Sequence, residues 1–134
     1  MKTLLITGAT SGIGKSLAEH AADRGYKVIA CGRNEEALTS LAKHENISPC
    51  QFDVSNLEDT KKALSDVEFD IAVLNAGTCE YVDIEEFEAD MFRRVFEPNF
   101  FGVVNCVDAF VNKLKKGDKL VIVDSMARLL PFTR

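Results

Sequence analysis

Eight residues, Thr7-Gly8-Ala9-Thr10-Ser11-Gly12-Ile13-Gly14, set three glycines at spacings of four and two directly after the apolar run Leu4-Leu5-Ile6. That run is too short for a membrane span or a signal-peptide core and reads as a buried strand of a parallel sheet. At Gly8, Gly12 and Gly14 the missing side chain lets the chain turn tightly and the backbone come close to a ligand. A helix beginning near Gly12 would then aim free N–H groups and the positive end of its dipole into the turn, where an anion such as a pyrophosphate is held. Thr10, Ser11 and Ile13 belong to the same turn and count as candidate binding residues with the glycines.

The rest of the chain repeats the strand-then-helix unit. Strands are expected at Thr3–Thr7, Lys27–Cys31, Ser48–Phe52, Phe69–Leu74 and Lys119–Asp124, with helices starting near Gly12, Glu35, Asn56, Ile84 and Asn99. Such alternation implies an α/β fold with a doubly wound parallel sheet. Pro49 inside the third strand would break a central hydrogen-bond ladder, so that strand belongs at an edge, as it does in the order 3-2-1-4-5. Ser55 and Glu58 are spaced as a capping box, and Glu35 and Glu36 after Asn34 suit the first turn of a helix.

Composition fits one domain spanning residues 1–134, since 46% of its residues are hydrophobic and 28% charged. A net charge of -5 argues against general nucleic-acid or anionic-membrane binding, which needs a basic surface. The acidic stretch from Glu80 to Asp90 reads as a solvated loop and helix face. Cys31, Cys50, Cys79 and Cys106 lie far apart in sequence and include no CxxC pair, so no metal site is expected. Without a secretory signal, reduced thiols and a cytoplasmic location are the expectation. His20 and His44 read as ordinary surface residues on helices.

About twenty residues beyond Gly14, at the end of the second strand, an acidic side chain would mark a site for the adenosine ribose of NAD. Gly32 stands there instead, followed by Arg33. A guanidinium at this place suits the 2′-phosphate of NADP, which an acid would repel, so NADP(H) is favoured over NAD(H).

At this point the residues resemble the short-chain dehydrogenase/reductase family, along the whole chain. The glycine turn resembles the family's TGxxxGxG. Asp53-Val54, after the third strand, resembles the pair that contacts adenine, and Asn75-Ala76-Gly77 resembles the NAG motif beside the nicotinamide ribose. Asn99, three residues before Gly102, resembles the helix asparagine that anchors a water in a proton relay. Ser125 resembles the serine that orients the substrate carbonyl. Asp124, where the family often has serine, and Arg128, where it has a small residue, depart from the pattern. The resemblance implies a Rossmann-type fold and hydride transfer between a nicotinamide and a small carbonyl or alcohol substrate.

It also implies a tyrosine followed four residues later by a lysine. A free tyrosine titrates near about 10, and the lysine cation brings it toward working pH. The chain has two tyrosines: Tyr26 is followed four later by Ala30, and Tyr81 by Glu85. By resemblance the pair falls beyond Arg134, so the chain is expected to be the N-terminal half of a family member, lacking its later strands and helices and inactive alone. The alternative is a short, non-catalytic module that binds or senses NADP(H). An apolar stripe at Phe96, Phe100, Val103, Val104, Val107, Phe110, Val111 and Leu114, widened by Phe101 and Cys106, is expected to pack partly on the sheet. In the family, paired helices here join subunits, so a homo-oligomer is expected.

Overall fold

The computed structural model describes residues 1–125; Arg128 and the stretch 129–134 lie outside the described residues. Strands β1 (Thr3–Ile6), β2 (Lys27–Gly32), β3 (Ile47–Gln51), β4 (Ile71–Leu74) and β5 (Lys119–Ile122) form one sheet in the order β3-β2-β1-β4-β5. Every pairing is parallel, as strands joined through helices require. Pro49 pairs with Ala30 on the edge strand β3, where its missing N–H faces no neighbour.

Side-chain alternation along the strands builds a core on each face. Leu4 and Ile6 of β1 point to one side, where Ala18 and Ala22 of α1 (Gly12–Asp23) and Leu38 and Leu41 of α2 (Glu35–Leu41) cover them. Leu5 points to the other, against Leu64 of α3 (Leu57–Leu64) and Cys106 and Phe110 of α5 (Gly102–Phe110). Phe69 meets Phe110 edge to face at 5.0 Å. The switch in strand order falls between β1 and β4, so a crevice opens at their carboxyl ends.

Several local expectations are corrected. The Asn34 side chain caps α2 by accepting the Ala37 N–H at 3.1 Å, with Glu35 and Glu36 in the first turn as expected. The cap of α3 is Asn56, which accepts the Asp59 N–H at 3.0 Å, and not the Ser55–Glu58 box. Ser55 lies one residue too early, because its own N–H is held by Asp53 Oδ1 at 2.9 Å in a turn. No helix starts at Ile84: Ile84–Glu86 is one 3₁₀ turn, begun when Asp83 accepts the Glu85 N–H. Phe87 and Glu88 are then extended, and α4 spans Ala89–Phe96. Asn99 is likewise no helix start. It sits inside a π-turn, Glu97–Phe101, that joins α4 to α5 without a break. Pro98 is the second residue of the turn, where its missing N–H is tolerated.

The apolar stripe divides. Phe110 and Cys106 are buried in the core, so Cys106 does not widen the surface as expected. Phe96, Phe100, Phe101, Val104 and Val111 remain roughly half exposed, as do Leu120–Val123 on and after the edge strand β5.

Candidate cofactor site

Thr7, buried at the end of β1, ties the two loops that frame the crevice. Its hydroxyl oxygen accepts the Asn75 N–H at 2.9 Å and the Ala76 N–H at 3.0 Å. The Asn75 side-chain amide donates to the Gly8 carbonyl at 3.4 Å. The glycines answer to different needs. Gly8 has φ +65°, and a Cβ there would stand 2.8 Å from Ala76 Cα. A Cβ on Gly14 would stand 2.1 Å from the Gly8 carbonyl oxygen and 2.6 Å from Asn75 Nδ2, so this position excludes every side chain. Gly12 faces open space and is needed only for its φ of +56°.

Ser11 precedes α1 in an extended conformation, and no side chain caps the helix. The first N–H groups of α1 are thus left to a ligand. They open on a cleft of about 690 Å³ lined by Gly8, Thr10, Ser11, Gly12 and Ile13, by Arg33, Asp53 and Val54, and by Asn75, Ala76 and Gly77. All the cofactor residues anticipated from sequence except the buried Gly14 line this one cleft. Side chains at Gly8 or Gly14 would push apart the two loops that frame the cleft, and the uncapped helix supplies donors, so the residues fit a pyrophosphate-bearing dinucleotide.

Arg33 is exposed and its guanidinium forms no ion pair among the described residues. Beside it, a Cβ on Gly32 would meet Thr10 Cγ2 at 2.5 Å, so a ribose-binding acid at that position would require the Thr10 side chain to move. Asp53 commits Oδ1 to the Ser55 N–H. Val54 is positioned from behind: Asn105, buried on α5, donates to its carbonyl at 2.8 Å, and Gly102 lets its side chain approach, since a Cβ there would lie 2.7 Å from Val54 Cγ2.

The two residues anticipated for the reaction stand apart from that lining. Asn99 accepts the Thr78 N–H at 2.7 Å and donates to the Thr78 carbonyl at 2.8 Å, which clamps the loop just after Gly77. Ser125 lies three residues past β5, exposed, with its N–H donating to Asp124 Oδ1 at 2.7 Å. At the same end of the cleft, Arg94 donates through Nε and Nη2 to Glu80 at 3.0 and 2.9 Å. The guanidinium holds the Glu80 carboxyl below its ordinary value, and the carboxylate raises Arg94.

Sequence reasoning had not singled out Thr7, Gly102, Asn105, Glu80 or Arg94 as site residues. A lone asparagine within an apolar helical stretch was a visible signal for Asn105. Nothing in the spacing links Glu80 to Arg94. Cys31 also lines the cleft; contact with the Cys50 thiol, then burial, pushes it up, while the same contact lowers Cys50. All four cysteines are free. Among the described residues no group of three His, Cys, Asp or Glu side chains is placed to hold a metal, and no helix is long and apolar enough to cross a membrane.

A parallel sheet with a glycine turn and an uncapped helix end at its switch point defines a Rossmann-type, nucleotide-binding α/β domain. Residues 2–134 match the family model described as short chain dehydrogenase, and the chain belongs to that family. It is 34% identical to estradiol 17-beta-dehydrogenase 2 of Rattus norvegicus, over 98% of this chain and 38% of that protein. It is 35% identical to the NADPH-dependent pterin aldehyde reductase of Arabidopsis thaliana, over 92% of this chain and 55% of that protein. A short-chain dehydrogenase structure from Streptomyces avermitilis superposes with a TM-score of 0.88 at 30% identity, covering 98% of this chain and 52% of that one. The chain thus spans about half the length of such relatives or less.

Proposed function

We propose that the protein carrying this chain is an NADP(H)-dependent oxidoreductase that moves a hydride between the nicotinamide and a small carbonyl or alcohol. One observation carries the reading: a cleft that joins an uncapped helix N-terminus to Arg33, a guanidinium with no acidic partner among the described residues. Gly8, Thr10, Ser11, Gly12, Ile13 and Gly14 would hold the pyrophosphate through backbone N–H groups and the Ser11 hydroxyl. Arg33 would take the 2′-phosphate, Asp53 and Val54 the adenine, and Asn75, Ala76 and Gly77 the nicotinamide ribose. The NADPH dependence named for the pterin aldehyde reductase supports the choice of dinucleotide.

When bound, the nicotinamide supplies or accepts the hydride. Ser125 would orient the substrate carbonyl, and Asn99 would keep the loop at Thr78 in place while anchoring a proton-relay water. The proton itself would come from a tyrosine backed by a lysine elsewhere in a longer protein, since neither Tyr26 nor Tyr81 precedes a lysine by four. Residues 1–134 alone would then show no turnover. The half-exposed phenylalanines of α4 and the π-turn support a homo-oligomer, and the free thiols suit the cytoplasm.

Titration of the full-length protein with NADPH and NADH tests this. At least about tenfold tighter binding of NADPH is expected from a charge-assisted phosphate contact. Equal affinities would refute the phosphate role of Arg33, and no binding of either would refute the whole reading.

A further inference from the structure

We propose that Arg94 and Glu80 form a latch that positions the nicotinamide end of the cleft, and that Arg94 is a positioning residue for the cofactor. This rests on the dinucleotide reading above. After β4 the chain runs from Asn75 to Glu88 with no regular structure but one 3₁₀ turn. Its first residues are fixed to Thr7, through the N–H groups of Asn75 and Ala76. Its next residues are fixed to the α4–π–α5 rod at two points. Asn99 grips both backbone groups of Thr78. Two residues later the Arg94 guanidinium takes both carboxylate oxygens of Glu80 in a fork.

A fork fixes direction as well as distance, because two parallel N–H donors must meet two oxygens at once. Glu88 adds a second carboxylate 4.0 Å from Arg94 Nη1, so the guanidinium is centred between the start and the end of the loop. Both latch residues line the cleft beside Thr78. Released from the latch, the Thr78–Glu80 segment would keep only the Asn99 grip, and the groups facing the nicotinamide ribose would sample more positions. Among the described residues the adenosine half, built on α1, Gly32 and the loop after β3, shares no hydrogen bond or ion pair with the latch.

The test measures the affinity of the full-length protein for NADPH and for 2′,5′-ADP, which lacks the nicotinamide half. In Arg94→Gln and in Glu80→Gln, NADPH is expected to bind about three- to fivefold more weakly while 2′,5′-ADP binds as to the wild type. The deficit should shrink in high salt, which screens an exposed pair in the wild type as well. The exchanged double variant, Glu80→Arg with Arg94→Glu, made with Glu88→Gln to remove the like charge beside position 94, should recover most of the NADPH affinity. Equal weakening toward both ligands, no weakening, or failure of the exchange to rescue would overturn the latch and leave the cofactor site standing. A wild type that binds neither ligand would overturn the cofactor reading, and the latch with it.

Discussion

The Thr7 hydroxyl oxygen lies 2.9 Å from the Asn75 nitrogen and joins two loops 68 residues apart. Because the same oxygen also takes the Ala76 N–H, Thr7→Val keeps the shape of the side chain and leaves two backbone donors without their acceptor. Unpaired buried donors cost about 1–3 kcal/mol, so the midpoint of urea unfolding should fall by a corresponding amount. Thr7→Ser, which keeps the oxygen, should recover most of the loss. A Val variant as stable as the wild type would show that these donors find another partner.

Gly12 and Gly14 should respond differently to the same substitution. Gly12→Ala meets no atom and carries only the strain of a positive φ, about 1–2 kcal/mol. Gly14→Ala drives a methyl group into the Gly8 carbonyl and the Asn75 amide, so the loops must part. We expect measurable NADPH binding from the first variant and none from the second, by fluorescence titration.

Arg33→Ala should weaken NADPH by about tenfold or more and leave NADH within about twofold, since only the former carries the 2′-phosphate. Competition with 2′-AMP against 5′-AMP gives an independent reading. Loss of both cofactors in parallel would assign Arg33 to structure and not to selection.

Burial pushes the Cys106 thiol up to about 12. A raised folded value means that the neutral thiol stabilises the fold below the unfolded value near 9, and that this contribution fades as pH rises from about 9 to about 12. At pH 10 the difference is on the order of 1 kcal/mol. Urea melts at pH 8 and pH 10 should therefore show a larger alkaline loss in the wild type than in Cys106→Ala. Equal losses would mean that the thiol titrates no higher in the folded protein than in the unfolded chain.

Period and punctuation made the sheet legible. Short apolar runs followed by glycines or caps located all five strands to within a residue or two, and one proline placed β3 at the edge. The glycine turn carried the binding site for a similar reason, since close backbone approaches leave an imprint in which residue is absent. Asp83 and Asn99 were harder to read. Asp83 starts a turn that stops after three residues, and Asn99 sits where a helix changes pitch, so neither leaves a periodic trace. Glu80 and Arg94 were out of reach for another reason: an ion pair between exposed side chains depends on where the loop and the helix come to rest, which no local pattern encodes.

The π-turn at Glu97–Phe101 also governs angle. Each residue added to a helix rotates the later residues by about 100°, so one extra residue in a wide turn offsets the faces of α4 from those of α5 without bending the chain away. Removing a single residue there would restore a regular helix and swing Arg94 about a quarter turn from Glu80 while Asn105 stayed on Val54. The number of residues in that turn is therefore a dial, and its setting aligns the two ends of the cleft with each other.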